Sequence, residues 1–168
     1  MQNIKPQASS LKPQASSLNL TIKEGLNKSK LSILEEEELL RSVIDGYLAL
    51  LAQQTLPTEC PAKVKEFYLL LLGNLFNGYR INEAKAECGF RDQNFSRLFA
   101  KWVGMKPKEF CLEHTMAVGA FLLCETSCSI AGIALALGFQ DQDAFGKAIK
   151  RKFWIGPSQL RHQSKKNT

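Results

Sequence analysis

The sequence predicts an all-α protein, and three observations carry that prediction. No stretch of useful length alternates apolar and polar residues as a half-buried strand would. Apolar residues instead recur at helical spacing in one segment after another. One glycine-turned phrase is also written twice, as GFRDQNFSRLFAKWVGMKP at 89–107 and GFQDQDAFGKAIKRKFWIGP at 138–157.

The elements follow in chain order. KPQASSL occurs at 5–11 and again at 12–18, and Pro6 and Pro13 forbid a continuous helix there. With little to bury, residues 1–30 read as a disordered tail. From Leu31 a helical stripe begins: Leu34, Leu39, Leu40, Val43, Ile44, Tyr47, Leu48 and Leu51, behind an acidic first turn EEEE at 35–38. It ends before Pro57, and its breadth requires a packing partner, either the downstream domain or a second copy of itself. The pattern does not choose between them. Pro61 opens a second helix, AKVKEFYLLLLGNLFN, stopped by Asn77-Gly78.

The repeated phrase comes next. A short helix from Ile81 to Cys88 is closed by Gly89, and a second helix starts near Asp92. On it Phe95, Leu98, Phe99 and Trp102 share one apolar face, while Gln93, Asn94, Ser96, Arg97 and Lys101 share the other. This is the pattern of a helix-turn-helix. In the second copy Ser129 caps a helix over 130–137 and Gly138 turns the chain. The helix that follows buries Phe145, Ala148, Ile149 and Phe153 and presents Gln142, Asp143, Lys147, Lys150 and Arg151. The copies align at an offset of 49 before the turns and 50 after them, so the second turn is one residue longer. A linker helix over 108–124 joins the two units.

That arrangement points to nucleic acid. A recognition helix fits the DNA major groove, where Gln, Asn, Arg and Lys pair with base edges. Two such helices on a stiff linker can enter successive grooves about 34 Å apart. The net charge of +6 divides as −1 over residues 1–60 and +7 over 61–168, so the basic character belongs to the repeat. Lys101, Lys106, Lys108, Lys150, Arg151, Lys152, Arg161, Lys165 and Lys166 are the expected phosphate ligands. Polar helix faces are also simply solvated in many proteins, so pattern alone does not decide the matter.

Other classes are poorly supported. No run of about 20 apolar residues is present, so no segment should span a membrane. The N-terminus lacks the charged and apolar regions of a secretory signal, which places the chain in the cytoplasm. Five cysteines without paired metal spacing read as reduced, half-buried thiols. His114 and His162 are isolated, and no nucleophile constellation or phosphate loop occurs. The expectation is therefore no enzyme, no metal and no cofactor.

The span from Lys63 to Arg161 resembles the DNA-binding domain of the arabinose-regulator (AraC/XylS) family of bacterial transcription factors. The matching residues are GFRDQNFSRLFAKWVGMKPKEF at 89–110 and SIAGIALALGFQDQDAFGKAIKRKF, then GP and LR, over 129–161. The resemblance implies a sequence-specific regulator, in most members an activator, that binds double-stranded DNA near promoters and contacts RNA polymerase. It implies base contacts from Gln93, Ser96 and Arg97 in the first unit, and from Gln142, Asp143 and Lys147 in the second. Several positions depart from the family pattern. Lys85 replaces a small residue between two helices, Thr115 an Arg, Gly119 an Ala, Ile149 a Phe, Trp154 a Gly, and Gly156 a Ser or Thr. Gly146 offers no side chain on the second recognition helix.

The expected organisation is a tail over 1–30, an amphipathic extension over 31–60, the double unit over 61–163 and a basic end over 164–168. The first 60 residues are too few for the effector-binding β-barrel that many members carry, and they show no strand pattern. The acidic helix over 31–55 reads instead as a surface for self-association or a protein co-activator. The alternative function is an AraC-like interaction protein that binds a regulator or polymerase without reading DNA.

Overall fold

The computed structural model describes residues 31–77, 81–90 and 94–166, less the side chains of 165 and 166. The expected tail over 1–30 lies outside them, and so does Gln93. Among the described residues all regular structure is helical.

Helix α1 (Ile33–Ala52) opens with a reciprocal cap. The Ser32 hydroxyl accepts from the Glu35 N–H, and the Glu35 carboxylate accepts from the Ser32 N–H at 2.9 Å. Leu39, Leu40, Val43, Tyr47 and Leu51 are buried. The stripe therefore packs on this chain's own downstream domain, and the broad apolar surface expected to serve self-association or a co-activator is covered. Leu34, counted in that stripe, is exposed.

Helix α2 (Ala62–Gly73) ends four residues before Asn77, earlier than the apolar run implies. The Asn74 side-chain amide donates to the Leu70 carbonyl at 3.0 Å, and the chain leaves the helix there. Leu75 and Phe76 remain buried in the turn that follows. Hydrophobicity alone could not show that end, because burial continues past it.

The first unit pairs α3 (Ile81–Glu87) with α4 (Phe95–Val103), and α5 (Pro107–Glu125) is the linker. The second unit pairs α6 (Ile130–Ala136) with α7 (Gln142–Phe153), and α8 (Pro157–Lys166) packs back along α5. The described part of α4 begins at Phe95; residues 91–93, where its start was expected, lie outside the described residues.

The core is continuous across both units. Phe67 of α2 lies at its first centre, with the rings of Phe95 at 4.5 Å, Phe99 at 5.4 Å and Phe90 at 6.3 Å, all edge-on. Each such ring, once buried, stabilises the fold by about 1.5–3 kcal/mol. The second centre is more aliphatic: Ile133, Leu137 and Ile149 are buried there along with Phe145. Gly119 of α5 makes that packing possible. A Cβ there would lie 3.0 Å from Phe145 Cε2 and 3.2 Å from Leu137 Cδ1. The departure from Ala at this position is thus matched to the ring opposite.

Candidate nucleic-acid interface

Both helix pairs turn the same way. Gly89 and Gly138 have φ of +67° and +77°, the left-handed conformation that only glycine adopts without strain. In the first turn the Gly89 N–H donates to Ala86 O at 3.0 Å and the Phe90 N–H to Lys85 O at 2.9 Å. In the second, the Gly138 N–H donates to Leu135 O and the Phe139 N–H to Ala134 O, both at 3.0 Å. This double bond pattern closes a helix and redirects the chain within two residues. Phe90 and Phe139 then pack on the first buried ring of the next helix, Phe90 tilted against Phe95 at 3.9 Å and Phe139 edge-on to Phe145 at 5.2 Å. Each second helix is thereby fixed on its apolar side.

The outward sides carry those expected reading residues that lie among the described ones. On α4 Arg97 is exposed and Ser96 is half-buried. On α7 Gln142, Asp143 and Lys147 are all exposed, with the Asp141 carboxylate capping the helix from the Ala144 N–H at 2.7 Å. Gly146 leaves a hollow beside them. A Cβ there would meet only Pro157, at 3.9 Å. A shallow groove of about 350 Å³ runs between α7 and the start of α8, lined by Gln142, Asp143, Gly146, Lys147, Lys150 and Ser158.

The expected phosphate ligands divide into two groups. Lys101, Lys106, Lys108, Lys150 and Arg151 are exposed. Lys101 also holds its ammonium 5.4 Å from the Trp102 ring. Arg161 and Lys152 have other work. Arg161 is half-buried, donating from Nε to Leu123 O at 3.1 Å and from a terminal nitrogen to Cys128 O at 2.6 Å. It ties α8 to the end of the linker, satisfying a carbonyl that the finished helix leaves unpaired. Lys152 bonds Glu113 of the linker at 2.5 Å. The side chains of Lys165 and Lys166 lie outside the described ones. No sequence signal separated these two groups, because partners from distant helices decide between them.

Lys85 behaves as a snorkelling residue. It is half-buried, and its ammonium is 6.0 Å from the Phe95 ring. Trp154 is less expected: it ends α7 at φ +65° and is 85% exposed. Gly104 ends α4 in the same way at φ +87°, and both cap N–H groups reach a carbonyl four residues back at 2.9 Å.

Buried ionisable groups lie away from this face. Desolvation holds the His114 imidazole down to about 4 and lifts the Tyr47 hydroxyl to about 12. The two share a hydrogen bond of 2.7 Å between α5 and α1. Burial also raises all five cysteine thiols, so none is a ready thiolate. Among the described residues no three His, Cys, Asp or Glu side chains are grouped to hold a metal ion, and no helix is long and apolar enough to cross a membrane.

Comparison with known proteins agrees with this geometry. A helix-turn-helix domain model matches residues 89–163. The HTH-type transcriptional regulator MtrA of Neisseria gonorrhoeae is 33% identical over 85 residues, covering 51% of this chain and 28% of MtrA. The virulence regulon transcriptional activator VirF of Yersinia enterocolitica is 29% identical over 136 residues, covering 79% of this chain and 49% of VirF. A Chromobacterium violaceum transcriptional regulator, described as of the AraC-type DNA-binding domain-containing proteins, superposes with a TM-score of 0.50 at 28% identity. That match covers 61% of this chain and 91% of the other. Residues 89–163 thus match the helix-turn-helix family model, and the double pair is similar to these transcription regulators and to an AraC-type DNA-binding domain. The chain spans less than half the length of MtrA and of VirF. Within this chain, α3 with α4 and α6 with α7 are the two helix-turn-helix pairs, and α5 is the helix between them.

Proposed function

We propose that this chain is an AraC-type, sequence-specific, DNA-binding transcription regulator that sets α4 and α7 in successive major grooves. One observation carries the reading: the same glycine-turned pair is built twice, and each copy turns a polar, basic helix face to solvent. Arg97 and Ser96 are the base contacts of the first unit together with Gln93, which lies outside the described residues. Gln142, Asp143 and Lys147 are those of the second. Lys101, Lys106, Lys108, Lys150 and Arg151 neutralise phosphates. Arg161 is kept as a positioning residue. VirF is named as an activator, which supports activation as the direction of control. RNA polymerase is the partner that this role requires. The double unit over 61–163 does the reading, and it works in the cytoplasm without metal or cofactor.

Selection of purified protein on random duplexes, at two salt concentrations, tests the reading. A bipartite site with half-sites about one helical turn apart, bound less tightly as salt rises, is expected. Arg97→Ala and Lys147→Ala should each weaken that site about 5- to 150-fold, and each should relax preference only in its own half. A folded protein that enriches no sequence at either salt overturns the proposal.

A further inference from the structure

Helix α1 touches α2, which itself packs on both helices of the first unit, and also touches the linker α5 and α6 of the second unit. Near its start the Glu36 carboxylate accepts two bonds through the same oxygen, Oε1, from the Ser129 N–H at 2.9 Å and the Ser129 hydroxyl at 2.6 Å. Ser129 is the residue that caps α6, its hydroxyl accepting from the Gly132 N–H at 2.9 Å. The fit depends on Gly132, because a Cβ there would lie 2.1 Å from Glu36 Oε1. Farther along, Tyr47 bonds His114 of the linker, and its ring lies 6.4 Å from Phe76 in the turn after α2. Beyond it, Leu51 is fully buried.

A single linker helix leaves two joints at which the units can pivot. Here those joints are Gly104–Lys106 before α5 and Thr126–Cys128 after it. A second connection that spans the same gap removes the pivot, as a diagonal brace does in a frame. Helix α1 is such a connection, anchored by apolar burial on α2 and by the Glu36–Ser129 pair on α6. When two reading units share one duplex, the stiffness between them decides how sharply affinity depends on half-site spacing.

We infer that α1 is a brace, and that Glu36 is a positioning residue which sets the half-site spacing the two recognition helices accept. The inference rests on the proposal that both units read DNA.

The test uses the full chain with Glu36→Gln and Gly132→Ala, which disturb the same contact from its two sides, and Glu38→Gln as an exposed control on α1. Two readouts are taken. The first is affinity for the selected bipartite site, for the same site with one base pair inserted, and for an isolated half-site. Wild type and control should lose about tenfold or more on insertion, whereas the two brace variants should lose about threefold or less. Half-site affinity should stay within about twofold of wild type, which a general loss of folding would not allow. The second readout needs no DNA. Residual dipolar couplings should fit one rigid body in wild type and two alignments in the brace variants.

An unchanged insertion penalty in both brace variants overturns the inference, as does a single alignment in both. A wild-type protein that binds no duplex overturns the spacing role through the DNA reading itself. The couplings then separate that failure from failure of the brace.

Discussion

The two helix-turn-helix units share a plan and differ in how each is held. The first is organised around an aromatic cluster centred on Phe67, and its side of the linker carries a buried polar pair, His114 with Tyr47. The second has a mainly aliphatic core around Phe145, and its polar ties lie nearer the edge, through Arg161, Glu36 and Lys152. One plan thus tolerates two kinds of core, provided the glycine turn and the buried ring after it are kept. The difference also predicts different sensitivities. The first unit should answer to protonation and the second to added volume.

Acidification should show the largest contrast. His114 lies against Tyr47 and the Phe110 ring, which is 4.3 Å away, and desolvation outweighs the neighbouring Glu113 to hold it near 4. A histidine kept neutral when folded takes up its proton more readily once unfolded. Its contribution is therefore complete above about pH 6.5 and is lost as pH falls from there towards 4. The loss amounts to about 3 kcal/mol at the lower end of that window. Urea titrations at pH 7 and pH 4.5 measure it. His114→Gln should flatten the part of the slope that His114 contributes; an unaltered slope would show that His114 is not the group responsible.

Added volume should strike the second unit. Gly119→Ala improves helix propensity by about 1 kcal/mol. The new methyl, however, would press within 3.0 Å of Phe145, which is fully buried and wedged against Phe139. Overpacking of that kind costs about 1–3 kcal/mol, so a net loss of about 1 kcal/mol is expected. Thermal unfolding gives the sign. Amide exchange should place the weakening in α6 and α7, with α3 and α4 unaffected; a gain in stability would mean that the ring yields freely.

What the sequence revealed depends on how far each determinant lies along the chain. Both glycine turns, the Ser129 cap and the apolar faces led by Phe95 and Phe145, apart from the exposed Leu98, were legible, because every one is set by residues within a few positions. The docking of α1 was not, since its stripe fits any apolar partner and Glu36 meets Ser129 only 93 residues later. Arg161 counted as a phosphate ligand for the same reason. Its carbonyl partners lie 33 and 38 residues away and carry no sequence mark. Asn74 is the reverse case. A local polar cap ends α2 while the hydrophobic pattern runs on. At the candidate site the reading faces were legible as patterns, whereas the hollow beside Gly146 emerged only once α8 was in place.

The smallest effect concerns the two helix ends, where the units depart most sharply from each other. Gly104 and Trp154 occupy matched left-handed caps, and a side chain larger than glycine there costs about 1–2 kcal/mol. Trp154 is also 85% exposed, so its ring recovers little of that by burial. Trp154→Gly removes the strain but gives the unfolded chain more freedom, which offsets about 0.4–1 kcal/mol. A net gain of about 0.5 kcal/mol is expected, read as a small rise in the urea midpoint with an unchanged slope. Gly104→Trp is the reciprocal change and should lose stability, because strain is added where none exists. If Trp154→Gly instead lowers the midpoint, the ring contributes packing that its exposure does not reveal, and the two caps are equivalent only in backbone.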